Sequence, residues 1–312
     1  MVRCFEWACL LLVVPSILAA APIPRVLIIG IDGCRPDALQ TAQTPSLDGL
    51  ITDGAWFEGT DIREPDGTDE ADTVSGPGWS NLLTGVWPDK HNVLDNKFSA
   101  PRYDRYPHMF ARLKTARPQS VTASFSTWKP ISEHIVSQAD VNREFSDDTK
   151  EWARFDTDAT EDCVHYLAEQ SPDLLILYQG QVDEAGHRHG FHPRVPEYIQ
   201  AIEQVDHNIS RVLAAIRHRP VRDSEQWLVI VCTDHGGIGL RHGGGRNDHE
   251  VRSTFLIVSG PAAKQGKFDI PTYQVDVAAT ALTQLGVPLH PDWELDGHPV
   301  GLQQPQTAPS NR

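Results

Sequence analysis

The sequence predicts an α/β fold, a mostly parallel central sheet sandwiched between helices, on three observations. Near-continuous Val/Ile/Leu runs recur at Arg25–Ile31, Ser120–Ser126, Asp173–Tyr178 and Gln226–Cys232, the pattern of strands buried on both faces. Segments of helical periodicity lie between them, so strands and helices alternate. Carboxylates and histidines follow the ends of several runs, where open α/β sheets place their sites.

Each element has its own signal. Ser253–Ser259 reads as a fifth strand. The clearest helix is Pro196–Ile216, with Tyr198, Ile199, Ile202, Val205, Ile209, Val212, Leu213 and Ile216 on one face and Pro196 suited to a first turn. Asp158 with Glu161 three residues on has the form of a capping box opening a helix through Leu167. Val275–Leu285 is a further helix closed by Gly286. Ser75-Gly76-Pro77, leading into Leu82-Leu83 and Gly85, places a hydroxyl at a helix N-terminus. Free N–H groups and the helix dipole favour an anion there.

The 312 residues suffice for one large domain, and no linker, repeat or low-complexity run divides the interior. A net charge of −15 argues against nucleic-acid polymers or an anionic membrane as partners. It leaves small anionic substrates open where local cations outweigh the global field. Residues 1–20 have the pattern of a secretory signal: Arg3, an apolar stretch from Ala8 to Leu18, then Ala19-Ala20-Ala21. Pro22 disfavours cleavage after Ala21. The expectation is an exported protein, periplasmic or extracellular, with one domain over 21–302 and a disordered Pro/Gln/Ser-rich tail over 303–312. Nothing in the sequence sets an oligomeric state. Cys34, Cys163 and Cys232 remain after the signal, an odd number that excludes a disulfide scaffold. They read as packing residues, with a Cys34–Cys232 bridge the alternative.

Asp32, Asp183, His187, Asp234, His235 and His242 are the candidate metal ligands. If the backbone turns at Gly186, Asp183 and His187 converge on one ion, completed by an imidazole from His242-Gly243-Gly244-Gly245, or from His249. Asp32, Asp234 and His235 would hold a second, leaving a position for the Ser75 oxygen. Carboxylate and imidazole are good zinc ligands, and a serine hydroxyl needs a base or metal to become a nucleophile. Any one of these residues alone is equally a cap or a loop residue. The combination, in α/β order, points to a two-metal hydrolase. His189 and His192 read as solvent-facing or supporting residues, Lys90-His91 as an exposed pair, and the acidic stretch Asp61–Asp72 as a solvated loop or a gate leading into Ser75.

At these residues the chain resembles the alkaline phosphatase superfamily, specifically its type I phosphodiesterase/nucleotide pyrophosphatase branch. The matching stretches are Ile31-Asp32-Gly33, Ser75-Gly76-Pro77, Leu83 to His91, Asp95-Asn96, Asp183 to Gly190, Thr233 to Gly236 and His242-Gly243. The resemblance implies two zinc ions, one held by Asp32, Asp234, His235 and Ser75 and the other by Asp183, His187 and His242. It implies in-line attack by Ser75 on a small phosphate ester, with a covalent phosphoryl-serine then hydrolysed. Two departures stand out. Ser75 replaces the usual Thr, and Gly78 stands where the family carries Asn, so that contacts to a phosphoryl oxygen would fall to the backbone of Gly76 and Gly78. Among relatives, a sulfatase would need Arg where this chain has Trp79, and a phosphomonoesterase usually adds an arginine clamp that nothing near Ser75 supplies. Phosphonate hydrolysis suits the same ligands. Outside catalysis, the alternative is a metal-stabilised secreted binding protein.

Overall fold

The computed structural model describes residues 21–63 and 70–303. The expected signal segment, residues 64–69 of the acidic stretch and residues 304–312 of the expected tail lie outside the described residues. Gln303 is held to the domain by donating its N–H to the Ala262 carbonyl. No described helix is long and apolar enough to cross a membrane.

The strands are β1 (Ile23–Ile31), β2 (Gly54–Asp61), β3 (Thr122–Ser126), β4 (Val141–Glu144), β5 (Leu174–Gln179), β6 (Glu225–Cys232), β7 (Ser253–Ser259) and β8 (Gly266–Lys267). They form one sheet in the order β4-β3-β5-β1-β6-β7-β2-β8. From β4 to β6 every pairing is parallel, and β7 alone runs against its neighbours β6 and β2. The helices are α1 (Pro36–Leu39), α2 (Pro45–Asp53), α3 (Ser75–Thr84), α4 (Pro88–His91), α5 (Met109–Ala116), α6 (Trp152–Glu169), α7 (Gln181–His189), α8 (Pro196–Arg217), α9 (His249–Arg252) and α10 (Asp276–Gln284).

Strand alternation divides the core into two layers. On β1, Val26 and Ile28 pack with Leu82 and Leu83 of α3, Phe110 of α5 and Leu282 of α10. Leu27, Ile29 and Ile31 pack on the opposite face with Leu167 of α6 and Ile202, Val205 and Ile209 of α8. Helices therefore cover both faces, as the double-sided apolar runs predict. The five predicted strands all form. Unpredicted β2 and β4 carry too few apolar residues to show a pattern: GAWFEGTD is broken by glycines and acids, and VNRE is a largely exposed edge.

One predicted helix start is wrong. Helix α6 begins at Trp152, six residues before the expected cap. Asp158 lies inside it and pairs with Arg154 one turn back, at 3.2 Å; an acid three residues before Glu161 is here helix-surface charge patterning. The three cysteines are buried and free, which removes the Cys34–Cys232 bridge.

Candidate metal centre

The candidate ligands converge at the C-terminal edge of the parallel strands. Asp32 follows β1, Asp234 follows β6, α7 leaves β5, and Ser75 is the first residue of α3. Two groups of three donors form, each compact enough to surround one ion: Asp32, Asp234, His235 and Asp183, His187, His242. His249 is exposed and belongs to neither group.

Close approach between these elements needs glycine at particular places. A Cβ on Gly30 would lie 2.3 Å from Trp79, and one on Gly78 would lie 2.8 Å from the Asp234 Cβ. Gly33 combines φ +64° with an approach that would put a Cβ 2.6 Å from Asp183 Oδ1; only glycine meets both demands. The Asp183–His187 pair arises differently from the expected turn. Residues 181–189 are helical, so the pair is spaced i, i+4 on one face. Gly186 lies inside α7, where a Cβ would strike the Phe191 ring at 2.3 Å.

Hydrogen bonds orient the donors. Nδ1 of His235 contacts Gly236 O at 2.9 Å, Nδ1 of His242 contacts Thr73 O at 2.8 Å, and Nδ1 of His187 contacts Leu240 O at 3.0 Å. A carbonyl only accepts, so each Nδ1 carries the proton and each Nε2 presents a lone pair to the centre. Nε2 of His187 and Nε2 of His242 stand 2.9 Å apart, and the rings of His235 and His242 stack at 3.7 Å. Asp32 Oδ2 accepts from the Trp79 indole at 2.9 Å and the Tyr178 hydroxyl at 2.5 Å. Asp234 Oδ1 accepts from the Gly33 N–H at 3.2 Å. The remaining oxygens, Asp32 Oδ1 and Asp234 Oδ2, are buried without a hydrogen-bond partner, as is Asp183 Oδ1.

The electrostatics are those of a cation site. Burial raises the Asp32 carboxyl, and burial with the neighbouring Asp32 charge holds Asp183 and Asp234 well above the usual carboxylate range. Burial pushes His235 and His242 down to about 3, so both imidazoles are neutral at neutral pH. Partnerless carboxylate oxygens facing neutral imidazole nitrogens are costly unless cations lie between them. This donor set fits two divalent ions, with the mixed oxygen and nitrogen ligation suited to zinc.

Ser75 is buried, with Oγ 3.4 Å from His235 Nε2. The Gly76 and Gly78 N–H groups proposed for substrate are engaged elsewhere: Gly76 donates to Asn96 Oδ1 at 2.6 Å and Gly78 to Val74 O at 3.3 Å. Asn96 is the residue that sequence reasoning passed over. It stands exposed at the start of α3, and with its oxygen committed to Gly76 its amide N–H groups remain as donors. Its sequence signal is the Asp95-Asn96 match to the family. His91 is likewise not an exposed residue. It is fully buried and donates through Nε2 to Asn81 Oδ1 at 2.8 Å. Asn81 donates to Gln274 at 3.1 Å, and Gln274 in turn donates to the Asp234 carbonyl. Lys90 pairs with Asp296. The described ends of the acidic stretch are anchored: Asp61 pairs with Arg252, and Asp72 accepts from the Gly244 N–H at 2.6 Å, beside His242.

Comparison with known proteins identifies the family and the fold. The profile of the type I phosphodiesterase/nucleotide pyrophosphatase family matches residues 26–248. Rat ectonucleotide pyrophosphatase/phosphodiesterase family member 7 is 24% identical over 252 residues, covering 72% of this chain and 54% of the relative. The catalytic subunit of human GPI ethanolamine phosphate transferase 2 is 25% identical over 276 residues, covering 86% of this chain and 27% of the relative. The chain thus spans about half or less of the length of these curated relatives. Among solved structures, a 2-O GAG sulfatase superposes with TM-score 0.69 at 16% identity, over 92% of this chain and 76% of that one. Murine ectonucleotide pyrophosphatase/phosphodiesterase 5 gives 0.64 at 14%, over 85% and 95%, and has also been solved with AMP. At such identities the structures establish an alkaline-phosphatase-like fold, and the profile match over most of the chain establishes more: the chain belongs to the type I phosphodiesterase/nucleotide pyrophosphatase family.

Proposed function

We propose that the protein is an exported two-zinc phosphodiesterase acting on small phosphate esters, with Ser75 as nucleophile. The observation that carries this reading is the pair of donor triads, with three partnerless carboxylate oxygens and three Nε2 lone pairs turned to one centre beside Ser75. Asp32, Asp234, His235 and Ser75 would hold one ion and Asp183, His187 and His242 the other. When bound, the ions supply Lewis acidity that lowers the pKa of the Ser75 hydroxyl and offsets charge on the departing oxygen.

The chain's own residues do the rest. The N-terminus of α3 holds Ser75 where the helix dipole favours an anionic phosphoryl group. The Ser75 hydroxyl releases its proton to solvent and Oγ attacks phosphorus in line, forming an O–P bond as the ester oxygen leaves with the bonding electron pair. The Asn96 amide, whose oxygen is held by the Gly76 N–H, would donate to a phosphoryl oxygen in place of the engaged N–H groups of Gly76 and Gly78. Water then attacks phosphorus, forming a new O–P bond as the Ser75 Oγ–P bond breaks; a proton from the water returns to Oγ and the phosphate product leaves. Trp79 occupies the position where a formylglycine sulfatase motif needs Arg, and its indole is spent on Asp32, which disfavours the sulfatase reading.

The test is hydrolysis of bis-p-nitrophenyl phosphate, p-nitrophenyl phosphate and p-nitrophenyl sulfate by zinc-loaded protein, beside Ser75→Ala and a chelated control. Preference for the diester, lost in both controls, is expected. Preference for the sulfate, or full activity in Ser75→Ala, would overturn the reading.

A further inference from the structure

Helix α7 carries two of the candidate ligands yet lacks the usual means of fixing its own start. It has nine residues, too few to be stable alone, and its cap position is Gly180, which has no capping side chain. No larger residue fits there. A Cβ on Gly180 would lie 2.8 Å from the Trp152 ring and 3.2 Å from Thr127 Oγ1. The missing cap is delivered from another helix. Asp156 of α6 accepts from the Gly180 N–H through Oδ1 and from the Gln181 N–H through Oδ2, both at 2.9 Å. The Thr127 hydroxyl, just past β3, donates to Asp156 Oδ1 at 2.8 Å. Asp156 is fully buried and forms no ion pair among the described residues, so its compensation comes from these donors and the α7 dipole.

We propose that Asp156 is a positioning residue for the metal centre: by gripping the first turn of α7 it sets the axial and rotational placement of Asp183 and His187 opposite His242. Asp183 lies two residues beyond the gripped Gln181, and His187 one turn further. A sub-ångström slide of so short a helix changes both ligand positions together. Burial raises the Asp156 carboxyl to about 6, against the pull of the Gln181 and Gly180 N–H groups and the Thr127 hydroxyl; at neutral pH it is the ionised, acceptor-only form that grips the helix.

The inference rests on Asp183 and His187 being ligands, so the experiment tests both layers. Zinc binding to apo protein is followed by competition with a chromophoric chelator, and cobalt substitution reports coordination spectroscopically. Asp183→Asn identifies the α7 step. Asp206→Asn is the structural control, because buried Asp206 caps α2 in the same way, accepting from the Leu47 N–H at 2.8 Å and the Ser46 N–H at 3.2 Å, and α2 carries no ligand. The expected result is that Asp156→Asn weakens the α7 step at least tenfold, alters its cobalt spectrum and leaves the other step within twofold. Asp206→Asn should lower the Tm alone. Thr127→Val, which removes one donor and leaves the N–H contacts, should weaken the same step about threefold, and it stands in if Asp156→Asn does not fold. Wild-type zinc binding in Asp156→Asn, or equal weakening of both steps as in a general loss of stability, would overturn the proposal. With Asp156→Asn unfolded, wild-type binding in Thr127→Val would do the same. Retention of both zinc steps in Asp183→Asn would instead refute the ligand assignment beneath it.

Discussion

Tyr178→Phe isolates the contribution of one hydroxyl to the proposed metal centre. Tyr178 is buried on β5 and packs edge-on against Trp79, with ring centroids 5.1 Å apart, and stacks on Trp128 at 6.3 Å. Phenylalanine keeps these ring contacts and loses only the O–H that donates to Asp32 Oδ2. Trp79 still donates to the same oxygen, so the carboxylate is not orphaned, but it is less firmly turned to present Oδ1. A hydrogen bond to a charged group contributes about 1.5–3 kcal/mol. Taking about 2 kcal/mol, zinc affinity at the Asp32 triad falls about thirtyfold, within the range seen when groups supporting a metal ligand are removed. The assay is the zinc competition titration, with the second triad as internal reference and apo-protein melting as a control for packing. Trp79→Phe should act in the same direction, and the double variant less than additively, since both donors serve one oxygen. Unchanged zinc affinity in both single variants would refute the claim that these donors orient Asp32.

Four further outcomes follow from the same geometry. Gly30→Ala places a Cβ 2.3 Å from Trp79, so thermal melting should show a loss of about 1–3 kcal/mol, partly restored by adding Trp79→Phe. His108 is buried with neither ring nitrogen partnered, and burial and the nearby Arg112 push its pKa down to about 4. Stability from keeping it neutral is present above the unfolded value near 6.5 and is lost as pH falls toward 4. His108→Leu should therefore gain on wild type below pH 6.5, by up to about 3 kcal/mol, in urea unfolding at stepped pH. Burial raises the thiols of Cys34, Cys163 and Cys232, so peptide mapping should find them unmodified by maleimide in native protein and modified after unfolding. Zinc at a hundredfold its Kd should stabilise by about 2.7 kcal/mol per site, so chelation must lower the Tm; an unchanged Tm would count against a cation in either triad.

Two of the candidate ligands were legible in the sequence because they sit where a buried strand stops, and a strand buried on both faces announces its end sharply. Asp32 after β1 and Asp234 after β6 are of this kind. What the sequence hid is what depends on neighbours distant in the chain. Asp158 and Glu161 satisfy a local capping rule, yet α6 begins at Trp152. Asp156, two residues before that apparent box, caps α7 some two dozen residues later. A cap supplied in trans has no fixed spacing, so no motif records it. The same is true of His91, whose place at the end of a buried chain of donors to Asp234 turns an ordinary polar dipeptide into support for a candidate ligand. Glycine is the one local trace these long-range contacts leave. Gly30, Gly33, Gly78 and Gly180 are each required by a side chain or backbone from another element, and each lies within three residues of a candidate ligand or the nucleophile. In this fold, glycines beside strand-end acids mark where distant elements close on the centre, and the residue each would strike names the element that supports it.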